Sequence, residues 1–173
     1  LNGLRGQVLL QVDGQLKTGR DVVLMAMLGA EEYGFATAAL IVLGCVMMRK
    51  CHSNTCPMGV ATQNPELRAH FRGHADHVVN YFRFLAEEVR EYLAEMGFRK
   101  FNDIIGRTDL IEIDKAVSQK SELLDFSRLL HKESGDASIR HTEAQMHDID
   151  SVLDRTIITA SDPAISNGKE VSL

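Results

Sequence analysis

The sequence of 173 residues is long enough for one domain of ordinary size, and its 45% hydrophobic and 25% charged residues are typical of a folded globular protein. A net charge of −5 argues against a nucleic-acid-binding protein, because such proteins carry a basic face that releases phosphate counterions. No apolar run reaches the roughly 20 residues that span a bilayer, since the longest, 35–48, contains Thr37 and Gly44. We therefore expect a soluble protein that binds neither nucleic acid nor membrane.

The cysteine count and the two ends of the sequence indicate its setting. Three cysteines, an odd number, and the lack of a signal peptide favour a reducing compartment, so we expect a cytoplasmic protein. The sequence begins at Leu1 without a methionine, and a new alternating pattern starts within residues 168–173. We expect both ends to be cuts through a longer polypeptide.

The first predicted unit is a strand followed by a helix. Residues 7–12 are short and apolar, and the turn-forming pair Asp13-Gly14 ends them, so we predict a buried parallel strand there. A glycine-containing loop leads to a predicted helix over residues 22–29. Asp21 is the predicted N-cap, because its carboxylate can accept the free N–H groups of the first turn.

A second unit of the same kind follows at once. We predict a strand over residues 31–35 and an apolar helix over 38–48, with Thr37 as its N-cap. Connections this short between successive units imply a parallel sheet, because parallel strands need helical crossovers. Two strands alone cannot bury such helices, so the missing strands are expected upstream of Leu1, in a larger sheet or barrel.

Two further helices are predicted beyond an irregular loop at residues 49–59. Asn64-Pro65-Glu66 has the order of a helix start, with a cap, a proline and an acid. Apolar residues at helical spacing predict a long helix over 76–96, ended by Gly97.

After Gly97 the long periodic pattern ends, and short apolar pieces alternate with polar stretches. We predict short helical pieces at 101–105 and 122–131, and an exposed connector over the polar residues 134–147. A further short helix is predicted at 149–156. Residues 161–163, Ser-Asp-Pro, predict a turn before the final segment.

All three cysteines fall within one short segment, as Cys45, Cys51 and Cys56 with the spacing C-x5-C-x4-C. Thiolates are soft ligands, and clustered cysteines in an intracellular protein indicate an iron–sulfur or zinc site. A closed zinc site needs a fourth ligand, and the nearest candidate, His52, adjoins Cys51. The spacing alone leaves three interpretations open: an iron–sulfur cluster, a zinc site, or unligated thiols.

The two loops that follow the predicted strands are candidate anion sites. Backbone N–H groups at a glycine turn before a helix attract phosphate, and in (β/α)₈ barrels the loops after strands seven and eight often hold one. Each residue taken singly also fits an ordinary turn or a solvated charge. The candidate cofactor-binding residues are Asp13, Gly14, Gln15, Lys17, Gly19, Arg20, Ala36, Thr37 and Arg49.

The motifs DGQLKTGRDV, GAEEYGFATA and the cysteine segment occur together and in order. Together they resemble the end of the flavin-binding synthase domain in glutamate synthase large chains. The resemblance is strong over residues 10–106. The tail from Arg107 is similar to the connector that leads to that family's C-terminal right-handed β-helix, which would start at 171–173.

The resemblance implies a fold and its division into domains. It implies an α/β protein that forms the last two β/α units of a (β/α)₈ TIM barrel. Residues 1–106 would end the FMN-binding synthase barrel and include the iron–sulfur loop. Residues 107–160 would form a helical and irregular connector, and 161–173 the start of the β-helix domain.

The resemblance also implies cofactors and a reaction. Cys45, Cys51 and Cys56 match the three cysteines that hold a [3Fe-4S] cluster, and the neighbouring loops would bind FMN. Ammonia from glutamine would aminate 2-oxoglutarate, and FMN would reduce the product to glutamate. The implied partners are the rest of the large chain and a small NAD(P)H-oxidising subunit or ferredoxin. The catalytic residues would lie upstream, so this segment alone would be inactive.

A different class of function is the alternative. The chain would then be a structural or interaction module stabilised by zinc or by a cluster, without catalysis. Its glycine loops would be turns only.

Overall fold

The computed structural model describes residues 3–114, 120–132, 138–144 and 147–171. The chain divides into two compact units, Leu1–Glu143 and Ala144–Leu173. All residues predicted to bind a cofactor or a metal lie in the first unit.

Two short parallel strands form the sheet of the first unit. Strand β1 (Gln11–Asp13) pairs with β2 (Glu32–Gly34), and Asp13 lies opposite Gly34. The predicted α/β class with parallel pairing is therefore confirmed. Both strands are shorter than predicted. Residues 5–7 form a 3₁₀ turn before β1, and within the described chain no third strand pairs with β1 or β2.

The prediction of a buried first strand is wrong for this chain. Leu9 and Leu10, which lead into β1, are 44% and 41% exposed. Apolar strand residues become buried only when neighbouring strands and helices cover both faces of the sheet. The described chain supplies helices against part of this sheet only.

Helix α1 (Gly19–Met27) connects the two strands and begins with a capping box. The Thr18 hydroxyl accepts the Asp21 N–H at 3.2 Å, and the Asp21 carboxylate accepts the Thr18 N–H at 2.9 Å. Thr18 is therefore the N-cap, and the predicted cap, Asp21, occupies the third helical position. The helix was predicted correctly, but its start was placed three residues too late, because the reciprocal pair satisfies the first turn better than Asp21 alone.

Helix α2 (Thr37–Val42) is shorter than predicted. Its N-cap is Ala36, without a side-chain hydrogen bond, so the prediction of Thr37 as the cap is wrong. The helix ends at Val42, and Gly44 follows with a φ of +95°. Glycine adopts this left-handed conformation without steric cost, and it commonly ends helices. Cys45 consequently lies after the helix and not inside it.

The next two helices agree with their predictions. Helix α3 (Pro65–Arg68) is capped by Asn64, whose side chain accepts the Glu66 N–H at 2.9 Å. Helix α4 (Ala75–Glu95) is followed by Gly97 with a φ of +80°.

The core of the first unit lies between α1 and α4. An alanine Cβ at Gly19 would stand 2.8 Å from the Val89 backbone N, so the two helices approach closely at that point. Ile104 and Ile105, after α4, close the core and are almost fully buried. The buried residues of this core are Val22, Val23, Ala26, Met27, Val89, Leu93, Ile104 and Ile105.

The part of the first unit that follows α4 contains short 3₁₀ turns. They span Phe101–Asp103, Thr108–Leu110 and Ser121–Leu123. The predicted helix at 122–131 is wrong. Leu123, Leu124 and Leu129 are between 57% and 84% exposed, and a short helix that does not bury its apolar face is marginally stable. The predicted connector, 134–147, includes 134–137 and 145–146, which lie outside the described residues.

The second unit contains helix α5 (Leu153–Asn167), which ends at Gly168. The predicted helix at 149–156 was placed too early, and the predicted turn at 161–163 is wrong because these residues are helical. Pro163 removes one N–H donor, but its fixed φ is compatible with a helix. The assignment of this region to a β-helix domain stays a prediction, as do the other domain boundaries, and residues 172–173 lie outside the described chain.

The lengths and compositions of the helices bear on the membrane prediction. Within the described ranges, no helix combines the length and the apolar character needed to cross a bilayer.

Glu31 joins the start of the chain to its residues near 141. Its carboxylate accepts an Arg5 N–H at 2.6 Å and the His141 backbone N–H at 3.0 Å, and its side chain is 9% exposed. The Gly6 carbonyl accepts N–H groups from Thr142 and Glu143 at 2.9 Å each. Burial alone would raise the pKa of Glu31, but these hydrogen bonds and the Arg5 charge together lower it.

We expect Glu31→Gln to destabilise the protein by roughly 1–3 kcal/mol at pH 6, because it removes a buried, charge-assisted bond to Arg5. A folded pKa below the unfolded value of about 4.3 stabilises the protein above that pH, and the stabilisation is lost as the pH falls through the folded pKa. The difference in urea unfolding free energy should therefore shrink at pH 3. Equal differences at the two pH values would contradict this, and Glu95→Gln, at an exposed residue of α4, is the control.

Candidate cofactor sites

A cavity of about 420 Å³ opens at the carboxyl ends of both strands. Its size falls within the range of ligand sites in proteins, about 300–1,000 Å³. Five of the nine predicted cofactor-binding residues line it, namely Asp13, Gly14, Gln15, Ala36 and Thr37, together with Leu16, Gly34 and Phe35. The structure thus brings together the two loops that sequence reasoning linked.

Backbone conformation shapes the first loop of this cavity. Gly14 and Gln15 have φ values of +98° and +60°, so the chain turns back sharply after β1. An added Cβ at Gly14 would meet no atom within 4 Å, which leaves the backbone accessible on that side. Gly34 serves a different purpose, because a Cβ there would lie 2.9 Å from the Asp13 Cβ of the paired strand.

The remaining four predicted residues do not line this cavity. Lys17 and Arg20 are exposed, and Arg49 lies beside the cysteines. Gly19 is buried, and its N–H donates to the Glu88 carboxylate of α4 at 2.6 Å. The close contact with α4 therefore explains this glycine without a ligand.

Carboxylates occupy the backbone N–H groups at the start of α1. Asp21 accepts the N–H groups of Lys17 and Thr18 at 2.9 Å each, and Glu88 accepts that of Gly19. Burial alone would raise the pKa of Asp21, but these backbone hydrogen bonds outweigh it and lower the pKa. Because these N–H groups already bind carboxylates, an anionic ligand would bind more favourably between Gly14 and Thr37 than at the first turn of α1.

Glu88 and Tyr81, both on α4, were not among the residues predicted from the sequence. The Tyr81 hydroxyl donates to the Lys17 carbonyl at 2.6 Å, and each of these contacts joins residues more than 60 positions apart. No local sequence motif predicts contacts between residues so far apart in the chain. The helical spacing of α4 could have suggested only that Tyr81 and Glu88 share one face.

The donor groups of the cavity are compatible with FMN. The exposed backbone of the Gly14 loop and the uncapped first turn of α2 offer N–H groups of the kind that bind phosphate. The Asp13 carboxylate can accept hydrogen bonds from ligand hydroxyl groups.

All three cysteines line a second, smaller cavity after α2. Cys45 and Cys56 are half-buried and Cys51 is exposed, and all three are free thiols. Two residues with positive φ, Met47 at +57° and Arg49 at +58°, turn the backbone between the first two cysteines. His52, the fourth zinc ligand considered from the sequence, is not among the residues that line this cavity.

The thiols share a cavity without forming a compact ligand cage. Among the described residues, no three His, Cys, Asp or Glu side chains converge closely enough to hold a metal ion. Backbone hydrogen bonds, first from Ala61 and then from residues 58–60, lower the pKa of Cys56 despite partial desolvation. Three thiols, with backbone N–H donors directed at the sulfurs of Cys45 and Cys56, are the donor chemistry of an iron–sulfur cluster, so the donor types fit such a group.

Asn54 fixes the loop between Cys51 and Cys56. Its side-chain oxygen accepts the Gln63 N–H at 2.6 Å and the Thr62 hydroxyl at 2.9 Å. Its φ of +59° is a conformation that asparagine adopts more readily than most residues. The cysteine loop is thereby held against residues 62–63.

We expect Asn54→Ala to loosen this loop, because it removes both side-chain hydrogen bonds and leaves alanine at a positive φ. The Gln63 amide should then exchange with deuterium roughly tenfold faster. Hydrogen exchange read by NMR or mass spectrometry measures this. Asn80→Ala, at an exposed residue of α4, should leave the rate unchanged, and an unaltered rate in Asn54→Ala would show that Asn54 does not hold the loop.

Comparison with known proteins identifies the family. Residues 1–99 match a family model described as "Conserved region in glutamate synthase". The whole chain is 54% identical to part of the glutamate synthase [NADPH] large chain of Bacillus subtilis, and covers 11% of that relative. It is 47% identical, over 97% of its length, to the glutamate synthase [NADH] of Schizosaccharomyces pombe, and covers 8% of that protein. Against the chloroplastic ferredoxin-dependent enzyme of Oryza sativa it is 47% identical over 99% of its length, with 11% of the relative covered.

The chain spans about one tenth of the length of these relatives. The family match covers more than half of the chain, including both candidate sites. The chain therefore belongs to the glutamate synthase family.

Proposed function

We propose that this chain is the C-terminal part of the flavin-binding synthase domain of a glutamate synthase large chain. The full-length protein would transfer ammonia from glutamine to 2-oxoglutarate and reduce the product to glutamate. The observation that supports the proposal is that two cavities lie one after the other along the same stretch of chain. Helix α2, six residues and about 9 Å long, begins at the cavity compatible with FMN and is followed by the cysteine cavity.

The exposed surface of the sheet supports a place in a (β/α)₈ barrel. We assign β1 and β2 to its last two strands, joined by α1 as the crossover helix. Val8, Leu9 and Leu10 are between 39% and 44% exposed, and upstream strands would cover them. Since the relatives are about ten times longer, the rest of the large chain is the proposed source of those strands.

FMN would occupy the cavity between the two loops after the strands. Gly14, Gln15, Ala36 and Thr37 would supply backbone groups, and Asp13 a carboxylate. Gly19 and the side chains of Lys17, Arg20 and Arg49 stay predictions as cofactor contacts, since they lie outside this cavity. Bound FMN would supply hydride transfer to the imine formed from 2-oxoglutarate.

Cys45, Cys51 and Cys56 would hold a [3Fe-4S] cluster, which supplies one-electron transfer. Three cysteine ligands suit a cluster with three irons, and the lowered pKa of Cys56 favours the thiolate form that iron binds. The electron source would be a small NAD(P)H-oxidising subunit or ferredoxin, as relatives are named for NADPH, NADH or ferredoxin. The cytoplasm is the proposed compartment, although plant relatives are named as chloroplastic.

We expect Cys51→Ser in the full-length protein to remove the broad iron–sulfur absorption and to abolish electron transfer from the reductant to FMN, while the flavin bands remain. The hydroxyl of serine is a far poorer ligand for iron than a thiolate. Visible spectra and reduction kinetics measure this, with His52→Ala as the neighbouring control. Normal turnover of Cys51→Ser would refute the cluster, and a colourless, zinc-containing wild type would favour the structural module.

We expect Gly14→Val in the full-length protein to lose FMN on dialysis, because a β-branched side chain at a φ of +98° is strained and enters the space beside the loop. Iron and sulfide contents should remain. Gly97→Val is a matched control, since Gly97 also has a positive φ and open surroundings but follows α4. Full retention of FMN by Gly14→Val would exclude this cavity as the flavin site.

A further inference from the structure

We propose that α4 positions both loops of the flavin cavity, through Tyr81, Phe82 and Glu88, and thereby sets the affinity for FMN. The inference rests on the proposed FMN site. None of the three residues lines the cavity, so they are positioning residues and not catalytic ones.

Tyr81 holds the first loop, and Glu88 holds the first residue of α1, where that loop ends. The Tyr81 hydroxyl donates to the Lys17 carbonyl at 2.6 Å, and the Glu88 carboxylate accepts the Gly19 N–H at 2.6 Å. Two helical turns separate Tyr81 from Glu88, so both lie on the same face of α4. Lys17 directly follows cavity residues 14–16 in the chain, and Gly19 begins α1 two residues later.

Phe82, the neighbour of Tyr81, contacts the second loop. Its ring packs edge to face on Phe35, with centroids 5.2 Å apart and planes at 85°. Phe35 lines the cavity directly after β2. The rings of Tyr81 and Phe82 also pack on each other, with centroids 5.1 Å apart. Through these contacts a single helix touches the loops after both strands.

A further support of the first loop is local. Asp21 binds the N–H groups of Lys17 and Thr18, which fixes the loop to α1 but not to the second loop. Gln15 has a φ of +60°, a conformation that costs a residue other than glycine free energy and must be maintained by surrounding contacts. A loop held in its binding conformation before the ligand arrives reduces the entropy lost on binding.

The protonation state of Tyr81 allows its hydroxyl to donate this hydrogen bond at neutral pH. Burial, and then the negative charges of Asp21 and Glu88, raise the pKa of its phenol. The hydroxyl therefore remains protonated at neutral pH and donates to the Lys17 carbonyl.

The test uses the full-length large chain and measures the FMN dissociation constant by flavin fluorescence. Tyr81→Phe should raise that constant roughly fivefold, the effect of one lost hydrogen bond. Tyr33→Phe is the matched control, because the Tyr33 hydroxyl also donates to a backbone carbonyl, that of Ala30 at 2.8 Å, and neither residue lines the cavity. It should leave the constant unchanged while lowering thermal stability to a similar extent.

A second pair of variants tests the carboxylate. Glu88→Ala should weaken FMN binding, and Glu88→Gln should restore most of it, since an amide oxygen can still accept the Gly19 N–H. Glu87→Ala, at the exposed neighbour that pairs with Arg90, should have no effect.

Two results would overturn the inference: an unchanged FMN dissociation constant in Tyr81→Phe and Glu88→Ala, or an equal loss of affinity in the control variants. A wild-type protein that binds no FMN would instead overturn the proposed function. The two failures are thus distinguishable.

Discussion

The close packing of α1 on α4 is the constraint on which the rest of the first unit depends. At Gly19 there is no room for a Cβ against the backbone of Val89, and the same glycine N–H is bonded to Glu88. The buried side chains of both helices then form one core with Ile104 and Ile105. Because α1 follows directly from the loop after β1, fixing this helix also fixes the end of that loop.

This arrangement relates the two candidate sites through the chain itself. The loop after β2 lines one cavity, α2 follows it, and the cysteine segment lines the other. The cysteine segment then leads through α3 into α4, which returns to contact both loops of the first cavity. The cysteine segment and the loops of the first cavity are therefore connected through α2, α3 and α4.

Local sequence signals predicted the parts of the fold that local physics determines. The cap at Asn64, the periodic helix α4 and the two β/α units were all predictable, as was the grouping of the cysteines. The contacts of Tyr81 and Glu88 were not, because they join residues more than 60 positions apart. The reciprocal cap at Thr18 and the helix through Pro163 show that competing local signals are hard to rank from sequence alone.

The bonds around Glu31 and Gly6 bear on where the polypeptide can be divided. The family resemblance suggested a boundary after Gly106, yet His141, Thr142 and Glu143 donate backbone N–H groups to the segment that precedes β1 and to Glu31 itself. Removing residues 107–143 would leave the Glu31 carboxylate and the Gly6 carbonyl without these donors. Proteolytic or recombinant fragments meant to preserve the two β/α units should therefore retain the chain through Glu143.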